Sequence, residues 1–329
     1  MNKLNRIKVQ RGFTLIELMI ALVLGLVLIG GVISVLLSNQ QTYRTNTALS
    51  QLQDNARTAF EFLARDIRQA GSTPCGNASV TNLLNSANGA GTDTYLWGTN
   101  PIQGFDDAAT VVPVLPGALT QSALVTKGVG VVSTPMVAAG GACATGAPLT
   151  AAPSGITAAP SGITAGDLVL MCDAGQAYIY QAGAFAGGVL TMGGATPGNA
   201  AAATGCQTFG QTAYVAQYQP DYWYVAPAGA GAAAGTNSLY RARYSGATNA
   251  AGAFAADEIV RGVTNFQLTY HVPPAAGFVS AAGVGTNWPN VDAVQVSLTL
   301  RSLTNPNNIN ANQQEPLVRT FTTTVGIRR

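Results

Sequence analysis

The chain has 329 residues, and only 9% of them are charged, well below the roughly 25% usual in soluble domains. Sixteen Lys and Arg face fourteen Asp and Glu; four of the cations lie in the first twelve residues, which leaves twelve against fourteen beyond them, a formal −2. The sequence has no cluster of Lys and Arg of the kind that grips phosphates, so specific nucleic-acid binding is not expected.

Residues 1–12 form a basic leader with Lys3, Arg6, Lys8 and Arg11 and no acidic residue. The apolar run 13–37 follows, and Glu17 is its one ionisable group. As a helix this run would extend roughly 37 Å, enough to cross a hydrocarbon core of roughly 30 Å. Cations on its N-terminal flank favour a cytoplasmic N-terminus, which puts the remainder on the opposite side. A secretory signal is cut after its apolar stretch. Here the small residue, Gly12, precedes the stretch, so a cut before Phe13 leaves the apolar segment as the new N-terminus. A carboxylate at hydrocarbon depth costs on the order of 2.5–3.5 kcal/mol without a partner, which marks Glu17 as a functional residue. Gly25, Gly30 and Gly31 each lower helix propensity by roughly 1 kcal/mol and allow close helix–helix approach.

From residue 38 the pattern turns amphipathic. Leu52, Ala56, Ala59 or Phe60, Leu63, Ile67 and Ala70 recur at three- and four-residue spacing and share a face. Glu61 and Arg65 have the spacing of an i,i+4 pair. Gly71 and Pro74 stop the helix. The spacing predicts one continuous helix over 13–70, roughly 87 Å long. Its second half needs a sheet to cover its stripe.

Strand-like runs follow at 123–132, 167–171, 177–181, 212–219, 222–226, 238–244, 258–270 and 291–303. In the last of these Val294, Val296, Leu298 and Leu300 alternate with polar residues, the period of a half-buried antiparallel strand. The run 317–327 is expected to close the sheet as an edge. Long Ala/Gly-rich loops separate the strands. Among them, AAPSGIT at 151–157 is repeated letter for letter at 158–164, a duplication that solvent exposure tolerates.

Cys75, Cys143, Cys172 and Cys206 all lie beyond the apolar run, and no pair has CxxC spacing. An even count in an oxidising compartment predicts two disulfides, with three possible connectivities. The sequential pairing, Cys75 with Cys143 and Cys172 with Cys206, is preferred because each bridge would staple a loop with a poor core.

No catalytic constellation emerges, and neither a cofactor nor a metal is expected. His271 stands alone and reads as a strand-end surface residue. Asp106-Asp107 and Asp257-Glu258 are isolated pairs without calcium-loop spacing. Arg241 and Arg243 alternate along a strand and so share one face, expected to be solvent. Tyr218, Tyr222, Trp223 and Tyr224 are expected to pack in a core or on a sheet surface rather than to bind sugar.

The segment Arg11-Gly12-Phe13-Thr14-Leu15-Ile16-Glu17 resembles the start of type IV prepilins and pseudopilins. Further segments narrow the likeness: Gln40-Gln41-Thr42-Tyr43-Arg44, residues 62–71 (FLARDIRQAG), residues 239–244 (LYRARY), residues 258–263 (EIVRGV) and the W-x-x-V-x-A-V of 288–294. Together they resemble the PilW family of type IV pilus minor pilins. The absence of Pro before Pro74 fits a minor subunit better than a bulk one. The resemblance implies an α+β pilin fold in four parts. These are a leader (1–12), a membrane and assembly half-helix (13–37), an amphipathic half-helix (38–71) and a β-rich head (72–329). It implies cleavage between Gly12 and Phe13 by a prepilin peptidase, N-methylation of Phe13, and a contact from Glu17 to a neighbour's Phe13 amine. The implied partners are other minor and major pilins and the inner-membrane assembly platform. The implied location is a single pass through the inner membrane with a periplasmic head, then the fibre at the cell surface. The implied role is priming of pilus assembly near the fibre tip, in the service of twitching motility, adhesion or DNA uptake. The alternatives are a J-type minor pseudopilin of type II secretion and a tip adhesin.

Overall fold

A computed structural model of the chain describes residues 14–76, 80–85, 97, 100–112, 114–136, 162–186, 189–192, 198–199, 213–244, 254–303 and 316–327. Gly12, Phe13, Cys143, Cys206 and all but the last residues of the AAPSGIT duplication lie outside the described residues. The chain divides into two compact units, residues 1–51 with 304–317 and residues 52–303 with 318–329.

One helix, α1 (Leu15–Gln69), contributes to both units. In the first unit its large apolar side chains from Leu15 to Leu37 are all exposed, and this stretch is long and apolar enough to cross a membrane. The polar residues that follow do not break the helix. Thr42, Thr45 and Thr47 turn their hydroxyls back to carbonyls four residues earlier, at 2.9–3.0 Å, so they need no outside partner.

In the second unit the stripe Leu52, Ala56, Ala59, Leu63 and Ile67 is at most 2% exposed, as its periodicity requires. The expected Glu61–Arg65 pair does not form. Glu61 instead bonds Arg57, four residues earlier on the same face, at 2.8 Å. Gly71 ends the helix with φ +79°, and its N–H donates to the Lys127 carbonyl at 2.7 Å.

Two sheets complete this unit. The larger has nine described strands: β1 (Val80–Asn82), β2 (Ile102–Phe105), β3 (Ala123–Met136), β4 (Leu168–Cys172), β5 (Ala177–Ala186), β6 (Val189–Met192), β7 (Ala213–Pro227), β8 (Asn237–Tyr244) and β9 (Phe254–Arg261). The second has the order β11-β10-β12-β13, from β10 (Val263–His271), β11 (Phe278–Val279), β12 (Ala293–Arg301) and β13 (Val318–Gly326). The single sheet expected from sequence is thus two. The run 317–327 is an edge as anticipated, but of the smaller sheet. Gly262 separates them. It sits at φ +84°, divides the expected strand 258–270 into β9 and β10, and carries the chain from one sheet to the other. The four-residue helix α2 (Ala281–Val284) follows β11.

Strand β7 runs through Pro220, where sequence suggested two strands. One edge of β7 pairs with β3. The other pairs with β4 over Tyr214–Gln217 and with β8 only from Asp221 onward. Pro220 falls in the gap between those partners, where a missing N–H costs no ladder bond. Tyr218, Tyr222 and Tyr224 enter the apolar cluster on one face of β7, with Ala123, Val125, Leu168 and Leu170. The aromatic residues are core, as expected.

The disulfide differs from the preferred pairing. Cys75 is bonded to Cys172, not to Cys143. The cause is β1, which pairs in parallel with β5 (Val80↔Ala177), while Cys172 at the end of β4 pairs with that same Ala177. This crossover brings the segment after the helix to the β4–β5 hairpin. A three-residue strand leaves no periodicity from which it could be read.

Candidate assembly site

The start of α1 is built by a local hydrogen bond. Thr14 and Glu17 have the S/T-x-x-E spacing of a capping box. The Glu17 N–H donates to the Thr14 hydroxyl at 3.3 Å, and the Leu18 N–H donates to the Thr14 carbonyl at 3.2 Å. Thr14 therefore satisfies donors that the first helical turn would leave open. Glu17 itself is exposed in the first turn, where a negative charge also suits the helix dipole. The cleavage residues Gly12 and Phe13 lie outside the described residues.

Within the second unit a buried ionic cluster ties the end of α1 to the sheet. Asp66 stands at the spacing of the apolar stripe, three residues after Leu63 and four before Ala70, and is 5% exposed. The Trp223 indole N–H donates to its Oδ2 at 3.0 Å, and Arg241 Nη2 donates to its Oδ1 at 3.2 Å. The same Nη2 bonds Asp221 Oδ2 at 2.8 Å. Arg241 Nε lies 2.9 Å from Asp66 Oδ2 but is not aligned to donate, so this contact is an ion pair without a hydrogen bond. Arg243 is more remote, 3.8 Å from both Asp221 and Asp257. Burial, reinforced by the charge of Asp221, pushes the Asp66 carboxyl from 3.8 up to about 6, against the pull of Arg241 and Trp223. Burial also raises Asp221.

Sequence reasoning placed Arg241 and Arg243 at solvent. Their shared face is confirmed, but the Arg241 side chain is only 16% exposed because α1 covers that face. Alternation assigns two residues to one side of a sheet without saying what lies on it. The cluster itself was missed, although a charged residue at the spacing of an apolar helical stripe was a readable signal.

The acidic pairs are not isolated. Asp106 accepts from the Ala281 and Ala282 N–H groups, both at 2.9 Å, at the start of α2, and Asp107 caps the 3₁₀ turn Ala108–Thr110. Glu258 bonds Arg261 at 2.9 Å and Ser238 at 2.6 Å. His271 ends β10, as expected, with Nδ1 2.6 Å from Asp292. That hydrogen bond raises its pKa above the ordinary value.

The middle of the smaller sheet's solvent-facing side is uniformly polar and uncharged. Register aligns Asn265 with Thr299 and Thr320, Gln267 with Ser297 and Thr322, and Thr269 with Gln295 and Thr324. The opposite face carries Phe266, Leu268, Tyr270 and the four alternating residues of β12, all buried.

Two family models match the chain. One, described as the prokaryotic N-terminal methylation motif, covers residues 7–33, and the other, described as Type IV Pilus-assembly protein W, covers residues 222–329. Searches of curated proteins and of solved structures find no match. The apolar N-terminal helix, the methylation motif around Gly12–Glu17 and the α+β head define a pilin of the type IV pilus class. Within that class the chain is PilW-like: the matched third carries Trp223, Arg241 and all of the smaller sheet.

Proposed function

We propose that this chain is a minor pilin that helps start type IV pilus assembly at the inner membrane and sits near the fibre tip. Prepilin peptidase cuts after Gly12, Phe13 becomes the methylated N-terminus, and the head lies in the periplasm until the subunit enters a fibre with other minor and major pilins. The observation that carries this reading is Glu17. It is the one ionisable residue of the apolar run, it falls within the methylation motif, and its carboxylate is exposed. An exposed carboxylate at that depth is stabilised by a cation on a neighbouring helix, and the amine of a cleaved Phe13 is such a cation.

The test separates this contact from the cap. The Thr14 hydroxyl accepts from the Glu17 backbone N–H, which either substitution keeps, so Glu17→Gln removes the charge alone and Glu17→Ala removes the charge and the rest of the side chain. Both variants should insert and lose their leader normally, yet give at least tenfold fewer fibres and less co-precipitated pilin. Normal fibre counts in Glu17→Gln would show that Glu17 is not an assembly contact.

A further inference from the structure

The smaller sheet carries a feature that the Glu17 contact does not involve. Its solvent-facing side carries a three-by-three array, each row crossing β10, β12 and β13, with six hydroxyls and three carboxamides. The same side continues to His271 beyond Thr269 and to Arg301 beyond Thr299, which are bonded to Asp292 and to Gly235 and Thr236 respectively. Hydrogen bonds across the strands hold parts of the array in place. Thr299 and Thr320 share one at 2.8 Å, and Thr322 donates to Ser297 and Thr269 to Gln295, both at 3.4 Å. Strands spaced about 4.8 Å apart and same-face residues about 6.7 Å apart make the array roughly 10 by 13 Å.

A polar groove of about 320 Å³ continues from its margin along the other side of β10, lined by Asp106, Thr120, Gln121, Asn265, Gln267 and Thr269 among others. Loop residues, not a neighbouring strand, line this edge: Gln121 accepts from the Phe266 N–H at 2.8 Å and Ser122 from the Leu268 N–H at 3.3 Å. The one charge in the groove, Asp106, is already bonded to two backbone N–H groups.

We propose that this face and groove bind an extended neutral polysaccharide of the cellulose or chitin class. Every side chain of the array can both donate and accept a hydrogen bond, as sugar hydroxyls and acetamides do. The array and groove themselves hold no cation, and the flanking His271 and Arg301 are already bonded to Asp292 and to Gly235 and Thr236. Asp106 puts a carboxylate at the margin, so an anionic partner is disfavoured. With no apolar centre, and an array of roughly 130 Å² against about 800 Å² per partner in a stable protein interface, a second pilin is a poor occupant. The bonds between strands fix several groups before binding, so little ordering is required on contact.

The test uses the full chain in detergent, mixed with microcrystalline cellulose and with chitin. Wild type should sediment with at least one of them and be released by the matching soluble hexasaccharide. The double variant Gln267→Ala, Thr322→Ala should bind at least tenfold more weakly while melting as cooperatively as wild type, and Thr322→Ser, which keeps the hydroxyl, should bind within twofold. The proposal is overturned if wild type sediments with neither solid, if the double alanine variant binds equally, or if retention is seen only on carboxylated alginate and vanishes in salt. Fibre counts read the assembly proposal and sedimentation reads this one, so either can fail without the other.

Discussion

Asp66 bonds α1 to both Trp223 and Arg241, and its protonation gives that link a pH dependence. Its carboxyl is raised from 3.8 to about 6 by burial first and by Asp221 second. The folded chain therefore binds this proton more tightly than the unfolded chain. The stabilisation is complete below about pH 4 and is lost as pH rises through about 6, with an upper bound of about 3 kcal/mol. Raised Asp221 and His271 act in the same direction. Glu258, held low by Arg261, acts oppositely. Its contribution is present above its unfolded value of 4.5 and is lost as pH falls from there through its lowered pKa, outside the window from 7 to 5. Between pH 7 and 5 the melting temperature of wild type should thus rise relative to that of Asp66→Asn, measured in the same buffers. Parallel curves for the two proteins would mean that Asp66 does not titrate in this window.

Elements were legible where one period ran long enough to be unmistakable. The stripe from Leu52 to Ile67 and the alternation of β12 were both readable, because each element has one covered face. Short strands were not: β1, β2 and β11 have two to four residues each, and tertiary pairing alone makes them strands. The break at Gly262 is a third kind of case. Its N–H donates to the Asn237 carbonyl and its carbonyl accepts from the Arg301 N–H, so one residue ties β8 to β12 across the two sheets. An added Cβ would lie 2.5 Å from the Arg301 carbonyl oxygen, on a backbone with φ +84°. Gly262→Ala should cost at least about 1–3 kcal/mol of head stability, the usual penalty for a strained backbone before any displacement of Arg301. Urea unfolding of the two proteins measures this, and an unchanged midpoint would refute it.

At the scale of the whole molecule, the class of protein was readable from its first seventeen residues, whereas the pairing of distant segments was not. Targeting signals are linear and keep their meaning wherever the rest of the chain goes. Arg241 reached its two carboxylates, Asp66 and Asp221, by folding across 175 and 20 residues, distances that no local pattern encodes. The Cys75–Cys172 bond belongs to the same class. It closes 97 residues, encompassing β1, β2, β3 and most of β4. Because closure entropy grows only with the logarithm of loop length, it restrains the unfolded chain by less than about 1 kcal/mol more than either sequential loop would. For a loop of that length the chain-entropy model gives about 4.5 kcal/mol. Cys172→Ser should therefore lower head stability by several kcal/mol and open the segment between α1 and β3 to protease, while the apolar half of α1 still inserts. Limited proteolysis of membranes carrying each protein reads this directly, and non-reducing peptide mapping of wild type checks its premise. Equal protease resistance in the variant, or a mapped peptide joining Cys75 to Cys143, would show that this bond does not hold the head together.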